Sequence, residues 1–172
     1  MKRLAILRHA KSSWADPGMA DFDRPLNDRG REAAKRVGRE LERRGLRFDL
    51  VLASPARRVR ETLDGIGAQQ RLDSEIRFEP RIYEAGTGTL FELVRALPNE
   101  CETVLLAGHN PGLHELVLDL ADRDDGGFRD RVRGTYPTAA LAIVEIGPDQ
   151  WGEAKRRSGT IVDLILPRDL AD

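Results

Sequence analysis

The stretch Thr103-Val104-Leu105-Leu106-Ala107-Gly108-His109-Asn110-Pro111-Gly112-Leu113-His114-Glu115-Leu116-Val117 carries the pattern that decides the fold. Its first part, Thr103 to Ala107, is a short apolar run of the kind that fills a strand buried on both faces. Asn110-Pro111 reads as a helix cap followed by proline at the first helical position. Behind it Leu113, Leu116, Val117 and Leu120 recur at helical spacing. A strand thus feeds a helix through a tight turn, and the turn carries a histidine.

The same grammar repeats toward the N-terminus. Leu50-Val51-Leu52-Ala53 predicts a buried strand, and Ser54-Pro55 a capped helix running to about Gln70. Arg3 to Arg8 predicts the first strand, centred on Leu4, Ala5, Ile6 and Leu7. Positions 10–26 read as a loop broken by Asp16-Pro17-Gly18 and Arg24-Pro25. Asn27 and Gly45 bracket a helix whose Ala33, Ala34, Val37 and Leu41 form its apolar stripe. A strand is expected at 76–79, and a helical stripe at Leu90, Leu93, Val94 and Leu97, stopped by Pro98. Asp122 to Tyr136 reads as a polar, glycine-containing loop. Thr138 to Ile146 and Thr160 to Leu166 complete the strands. Strands alternating with helices imply an α/β fold: one three-layer α/β/α domain over residues 1–172 with a mostly parallel sheet. No internal repeat, low-complexity tract or linker interrupts it.

Composition narrows the function. Acidic and basic residues nearly cancel at 29 and 28, so the basic excess of a nucleic-acid binder is missing. With 40% hydrophobic residues the chain is not a disordered one. No apolar run approaches the ~18 residues needed to span a bilayer, and Arg8 interrupts the N-terminal apolar stretch. The lone Cys101 cannot form an intrachain disulfide. The chain reads as soluble and cytoplasmic, with no membrane partner. Only Lys2, Lys11, Lys35 and Lys155 are lysines, which leaves 24 arginines. Codon bias accounts for most of that excess on the surface, yet arginine is also the better fork for a phosphoryl group.

Ligands of open α/β sheets bind beyond the carboxyl ends of the strands. There the sequence delivers Arg8-His9-Ala10, Ser54-Pro55-Ala56-Arg57-Arg58 and Gly108-His109-Asn110-Pro111. Two histidines and at least two arginines on one rim, two of the segments opening helices, outline an anion pocket for phosphoryl transfer. Arg8 and His9 are neighbours and share the pocket only if the strand ends near Leu7 and the chain bends. No Gly-x4-Gly-Lys-Ser/Thr motif is present, which excludes a P-loop kinase.

Leu7-Arg8-His9-Ala10, Ser54-Pro55-x-x-Arg58-x-x-x-Thr62 and Gly108-His109-Asn110-Pro111, in this order, resemble the histidine phosphatase superfamily, most closely its SixA-like phosphohistidine phosphatases. Leu26-Asn27-Asp28-Arg29-Gly30 is similar to the family's Leu-Thr-x-x-Gly helix start, and Tyr136 to Leu141 to the branch's approach to its late strand. The resemblance covers most of the chain and implies a phosphoglycerate mutase-like fold. It implies His9 as the nucleophile that becomes phosphohistidine, with Arg8, Arg58 and His109 holding the phosphoryl oxygens. Glu84 would be the proton donor, with a pKa raised by partial desolvation. Arg24, Lys11 and Asn110 would add to the binding site. No metal or cofactor is implied. The partner would be a phosphohistidine protein or a small phosphoester, with inorganic phosphate as product. A phospho-ligand binding module without turnover is a further alternative, but every residue of the set is present.

Other residues have plainer readings. The Ser-Pro-x-x-Arg spacing favours Arg58 over Arg57, and Arg60 reads as a solvated charge. His114 lacks the spacing for a metal pair with His109 and reads as structural. Cys101 has no Cys-x5-Arg pattern and reads as structural. Trp14 is expected either to stack on substrate or to pack locally. Asp16, Asp21 and Asp23 suit a solvated loop better than a metal cluster.

Overall fold

In the computed structural model, which describes residues 1–70, 72 and 74–170, the alternation along β1 (Lys2–Arg8) explains the layering. Leu4 and Ile6 point into one apolar cluster, while Ala5 and Leu7 point into another on the opposite face. The strands β2 (Leu50–Ala53) and β4 (Thr103–Gly108) split in the same way, Leu50, Leu52, Val104 and Leu106 against Val51, Ala53, Leu105 and Ala107. Both faces are therefore apolar and both must be covered, which is why the central residues of these strands are apolar and polar side chains appear only at their ends.

Helices α1 (Asp28–Arg43) and α2 (Arg57–Gln69) cover one face. Helices α3 (Thr87–Arg95) and α4 (Gly112–Leu120) cover the other. The remaining elements are β3 (Glu75–Phe78), β5 (Ala121–Asp124), α5 (Phe128–Gly134), β6 (Leu141–Ile146) and β7 (Gly159–Ile165). The seven strands run in the order β3-β2-β4-β1-β6-β7-β5. Pairing is parallel except along both edges of β6, which runs antiparallel to β1 and β7. The fold is the mostly parallel α/β domain that the strand–helix alternation predicts. Among the described residues no helix is long and apolar enough to cross a membrane.

Three local expectations are corrected. Ser54 and Asn110 do not cap the helices that follow them. Those helices begin later, with Ala56 and Pro111 at the cap positions and a cis Asn110-Pro111 peptide. Residues 122–136 are not a continuous loop. They hold most of β5 and all of α5, an edge strand and a one-stripe helix anchored by buried Val132. Their exposed, charged sequence hides both. The late strand starts at Leu141 instead of Thr138, because Ala140 N–H turns back onto the Pro137 carbonyl and Ala139 takes a φ of 61°.

Asn27 does cap α1, its side chain accepting from the Gly30 N–H at 2.8 Å. A Cβ on Gly30 would stand 2.0 Å from the Lys11 carbonyl oxygen. Glycine there lets the start of α1 press against the chain just beyond β1.

Candidate active site

The carboxyl ends of β1, β2 and β4 meet at one rim, and the chain bends there as the adjacency of Arg8 and His9 requires. Arg8 still pairs with Gly108 of β4, and the pairing of β1 with β6 runs only to Leu7. The Ala139 N–H then donates to both the Arg8 and His9 carbonyls, at 3.1 and 3.0 Å. In a regular strand those carbonyls would point opposite ways, so the alternation ends between them.

His9 is buried, and its Nδ1 lies 2.7 Å from the Ala10 carbonyl. A carbonyl can only accept, so Nδ1 carries the proton and Nε2 is left with its lone pair. Burial, then the charges of Arg58, Arg8 and Arg24, push the His9 pKa down to about 4, against the Ala10 hydrogen bond. The neutral imidazole is the form a nucleophile needs. The Ala10 N–H donates to Thr62 Oγ1 at 2.9 Å, and that hydroxyl donates to the Arg58 carbonyl at 2.6 Å, so Thr62 ties β1 to α2.

The ring of His109 lies 5.3 Å from that of His9, centroid to centroid, and its Nε2 is 2.7 Å from Ser54 Oγ. Ser54 thus serves the site instead of a helix. Burial and the neighbouring His9 lower the His109 pKa to about 3, and its Nδ1 is buried without a partner. Arg8 donates from Nη1 to the Tyr136 carbonyl at 3.1 Å, and Asn110 donates to the same oxygen at 2.8 Å. The Arg8 Nε is buried and unpartnered, and burial lowers its pKa. The unpartnered Arg8 Nε–H and His109 Nδ1 beside a neutral histidine are polar atoms that a phosphoryl group would engage.

Arg58 is buried at the rim, and the exposed Arg57 pairs with Glu61 on α2 at 2.9 Å. The partner of Arg58 is the residue that sequence reading missed. Asp21 accepts from Arg58 Nη2 at 3.0 Å, Arg24 Nη1 at 2.8 Å and the Tyr83 hydroxyl at 2.6 Å, and its carbonyl accepts from Arg58 Nη1 at 2.7 Å. The Tyr83 bond first, then those from the two arginines, hold the Asp21 pKa down to about 2. The Tyr83 phenol is correspondingly raised to about 12. Its ring also meets His109 edge-on at 5.5 Å. Contacts across 37 and 62 positions leave no local signature, and so Asp21 read as a loop residue.

Arg24 is buried as well, bonded to the Ser13 carbonyl and to Ser12 Oγ. Its guanidinium sits 3.3 Å from the centroid of the exposed Trp14 ring, so Trp14 packs locally. Glu84 stands exposed at a φ of 60° beside Tyr83, without a hydrogen-bond or ion-pair partner among the described residues. The partial desolvation expected of it is absent. His114 stacks on Tyr136 at 5.9 Å, a packing role. Among the described residues, no cluster of three or more His, Cys, Asp or Glu is placed to hold a metal ion.

A family model described as histidine phosphatase superfamily (branch 1) matches residues 4–144, which include Arg8, His9, Arg58, Glu84 and His109. The chain belongs to the histidine phosphatase superfamily. An uncharacterised protein of Mycobacterium tuberculosis is 32% identical over 164 residues, covering 94% of this chain and all of that one. An uncharacterised chloroplastic protein of Arabidopsis thaliana is 31% identical, covering 92% of this chain and 72% of its own length. Among solved structures, one provisionally described as the phosphohistidine phosphatase SixA of Agrobacterium tumefaciens superposes with a TM-score of 0.80 at 28% identity, covering 96% and 98% of the two chains. The histidine phosphatase fold is shared with further structures, including a protein histidine phosphatase SixA complexed with tungstate at a TM-score of 0.77 and 24% identity, covering 97% and 98%.

Proposed function

We propose that this protein is a phosphohistidine phosphatase and that the whole chain is one histidine phosphatase domain. His9 Nε2 attacks phosphorus in line, a P–N bond to His9 forms, and the bond to the leaving group breaks. Water then attacks the phosphoenzyme. The His9 P–N bond breaks, its electron pair returns to Nε2, and inorganic phosphate leaves with the water oxygen. Arg8, Arg58 and His109 hold the three phosphoryl oxygens, Asn110 braces the Tyr136 carbonyl beside them, and Arg24 supports Arg58 through Asp21. A bound dianion opposes the burial that keeps His109 neutral, so substrate draws a proton onto it.

One observation favours phosphohistidine over an oxygen ester. Among the described residues the carboxylate bonded into the arginine cluster is Asp21, and its pKa near 2 keeps it ionised. It cannot donate a proton near neutral pH. An imidazole leaving group brings its own proton, whereas an alkoxide needs one from the protein. Exposed Glu84 is the donor we assign for the slower oxygen-ester reaction. The SixA relative supports the reading, and the near-complete mutual coverage means that neither chain carries a large insertion the other lacks.

The test compares an aryl phosphate with a phosphohistidine peptide, with and without chelator, beside His9→Ala. Chelator-resistant turnover of both, faster on the peptide and lost in the variant, is expected. Faster turnover of the ester would make this a small-phosphoester phosphatase. Binding without turnover would make it a binding module, and chelator-sensitive turnover would overturn the metal-free steps.

A further inference from the structure

A second positively lined cavity, of about 560 Å³, opens on the same rim. Its walls include Lys11, Arg29, Glu32, Thr138, Leu166 and Arg168. The sheet register places it beside the phosphoryl pocket. Leu7 of β1 faces Leu141 of β6, and Leu141 faces Ile165 of β7, so the residues just beyond these ends share one edge. The pocket of His9 lies over β2, β4 and β1. The cavity lies over β1, β6 and β7.

The two are joined by short backbone. Lys11 is two residues from His9, at most about 7.6 Å between Cα atoms. Thr138 precedes Ala139, whose N–H is bonded to the His9 carbonyl. The cavity is far larger than a single phosphate needs, so it is not a second copy of the catalytic grip.

Its wall carries Lys11, Arg29, Arg36 and Arg168 against the single acid Glu32. Among the described residues Lys11, Arg29 and Arg168, all exposed, have no side-chain hydrogen bond or ion pair. Among the described residues, Glu32 of the wall pairs with Arg39 at 3.4 Å, and the neighbouring Asp169 and Asp28 pair with Arg131 at 2.6 Å and with Arg31. On a chain of net charge -1, where most arginines have acid partners, three free cations around one cavity call for an external anion.

We infer that this cavity docks an acidic segment of the phosphoprotein substrate, carboxylates two to four residues from the phosphohistidine lying among Lys11, Arg29 and Arg168. An extended chain advances at most about 3.3–3.6 Å per residue, which brings that interval from the phosphoryl pocket into the cavity. The inference rests on the proposed phosphohistidine reading and adds the recognition element to it.

The experiment uses two phosphohistidine peptides, one with glutamates at those flanking positions and one with glutamines, beside an aryl phosphate. The enzymes are wild type and Arg29→Glu/Arg168→Glu. Wild type is expected to show a KM about tenfold lower for the acidic peptide, an advantage that shrinks when ionic strength rises from about 0.05 to about 0.2 M. The double variant should lose that advantage through KM, with kcat and aryl phosphate turnover within twofold. Equal KM values for the two peptides in wild type overturn the docking site and leave the activity reading standing. An advantage that survives in the variant overturns it as well. Turnover of the aryl phosphate but of neither peptide overturns the substrate reading and the docking site together. If the variant loses aryl phosphate turnover through misfolding, the salt dependence of wild type decides alone.

Discussion

Two cationic regions sit side by side on the rim of the sheet, and they differ in what holds their charges. Over β2, β4 and β1, Asp21 grips Arg58 and Arg24, and the Tyr136 carbonyl takes Arg8. Over β1, β6 and β7, Lys11, Arg29 and Arg168 are exposed and have no acid partner among the described residues. The first arrangement suits chemistry, because donors fixed before substrate arrives need no reorganisation at the transition state. The second suits recognition of a flexible partner, where long side chains adjust and the field attracts.

The contrast predicts how each region fails. Replacing His9 with alanine removes the proposed nucleophile, so turnover should fall by about 10⁴-fold or more, with no phosphoenzyme trapped from labelled substrate. Residual labelling would show another nucleophile and would undo the assignment of the first region. Arg58→Ala should cost about 10²–10³-fold in kcat, the range for losing one fixed donor. A change confined to KM would mean that Arg58 only attracts, like the cations of the neighbouring cavity.

The buried pair of histidines makes the proposed catalytic region pH-sensitive in a way that the exposed cavity is not. In the folded protein His9 and His109 stay neutral down to about 4 and 3, whereas unfolded histidine titrates near 6.5. Between those values the unfolded chain binds more protons, so stability falls as pH drops from about 6.5 toward 3–4. His9 alone accounts for about 3 kcal/mol once fully protonated. Thermal melts of wild type and His9→Asn between pH 7 and pH 4 should converge as the pH falls. For the same reason the acid limb of kcat/KM governed by His9 should lie near 4 instead of 6.5. A limb at 6.5 would mean that His9 is solvated like an ordinary surface histidine.

Asp21→Asn probes the brace itself. Its carboxylate neutralises Arg58, proposed to hold phosphate, together with Arg24, and it also fixes them. Losing it should lower the inhibition constant of inorganic phosphate severalfold while kcat falls about tenfold. Stability should drop about 1–2 kcal/mol, less than for a fully buried pair because Asp21 is half exposed. Unchanged kcat would make Asp21 a mere counterion.

What could be read in advance divides along the same line. The buried strands of β1, β2 and β4 were legible because apolar runs and the residues just past them are local signals. Arg8, His9, Arg58 and His109 came with them, each within a few residues of a strand end. Asp21, Tyr83 and Tyr136 were not legible as site residues, because their contacts join elements far apart in the chain. Ser54 and Asn110 misled for a physical reason. Both have side chains that cap helices well, yet His109 and the Tyr136 carbonyl claim them. The cavity went unseen because Lys11, Arg29 and Arg168 look like the solvated surface arginines and lysines around them until the fold brings them together.

The smallest expected effect separates the two regions most sharply. Lys11, Arg29 and Arg168 repel each other around one cavity, and the single acid of its wall, Glu32, relieves them only in part. Replacing Arg29 and Arg168 with glutamine removes that repulsion without opening a core or stranding a buried group. Stability should stay level or rise by about 0.5 kcal/mol, the scale of surface substitutions. A gain in stability paired with a loss of affinity for the acidic peptide would mark the charges as kept for binding at a cost to folding. A loss of more than about 1 kcal/mol would instead show that the two arginines hold the end of β7 against α1, making the cavity structural.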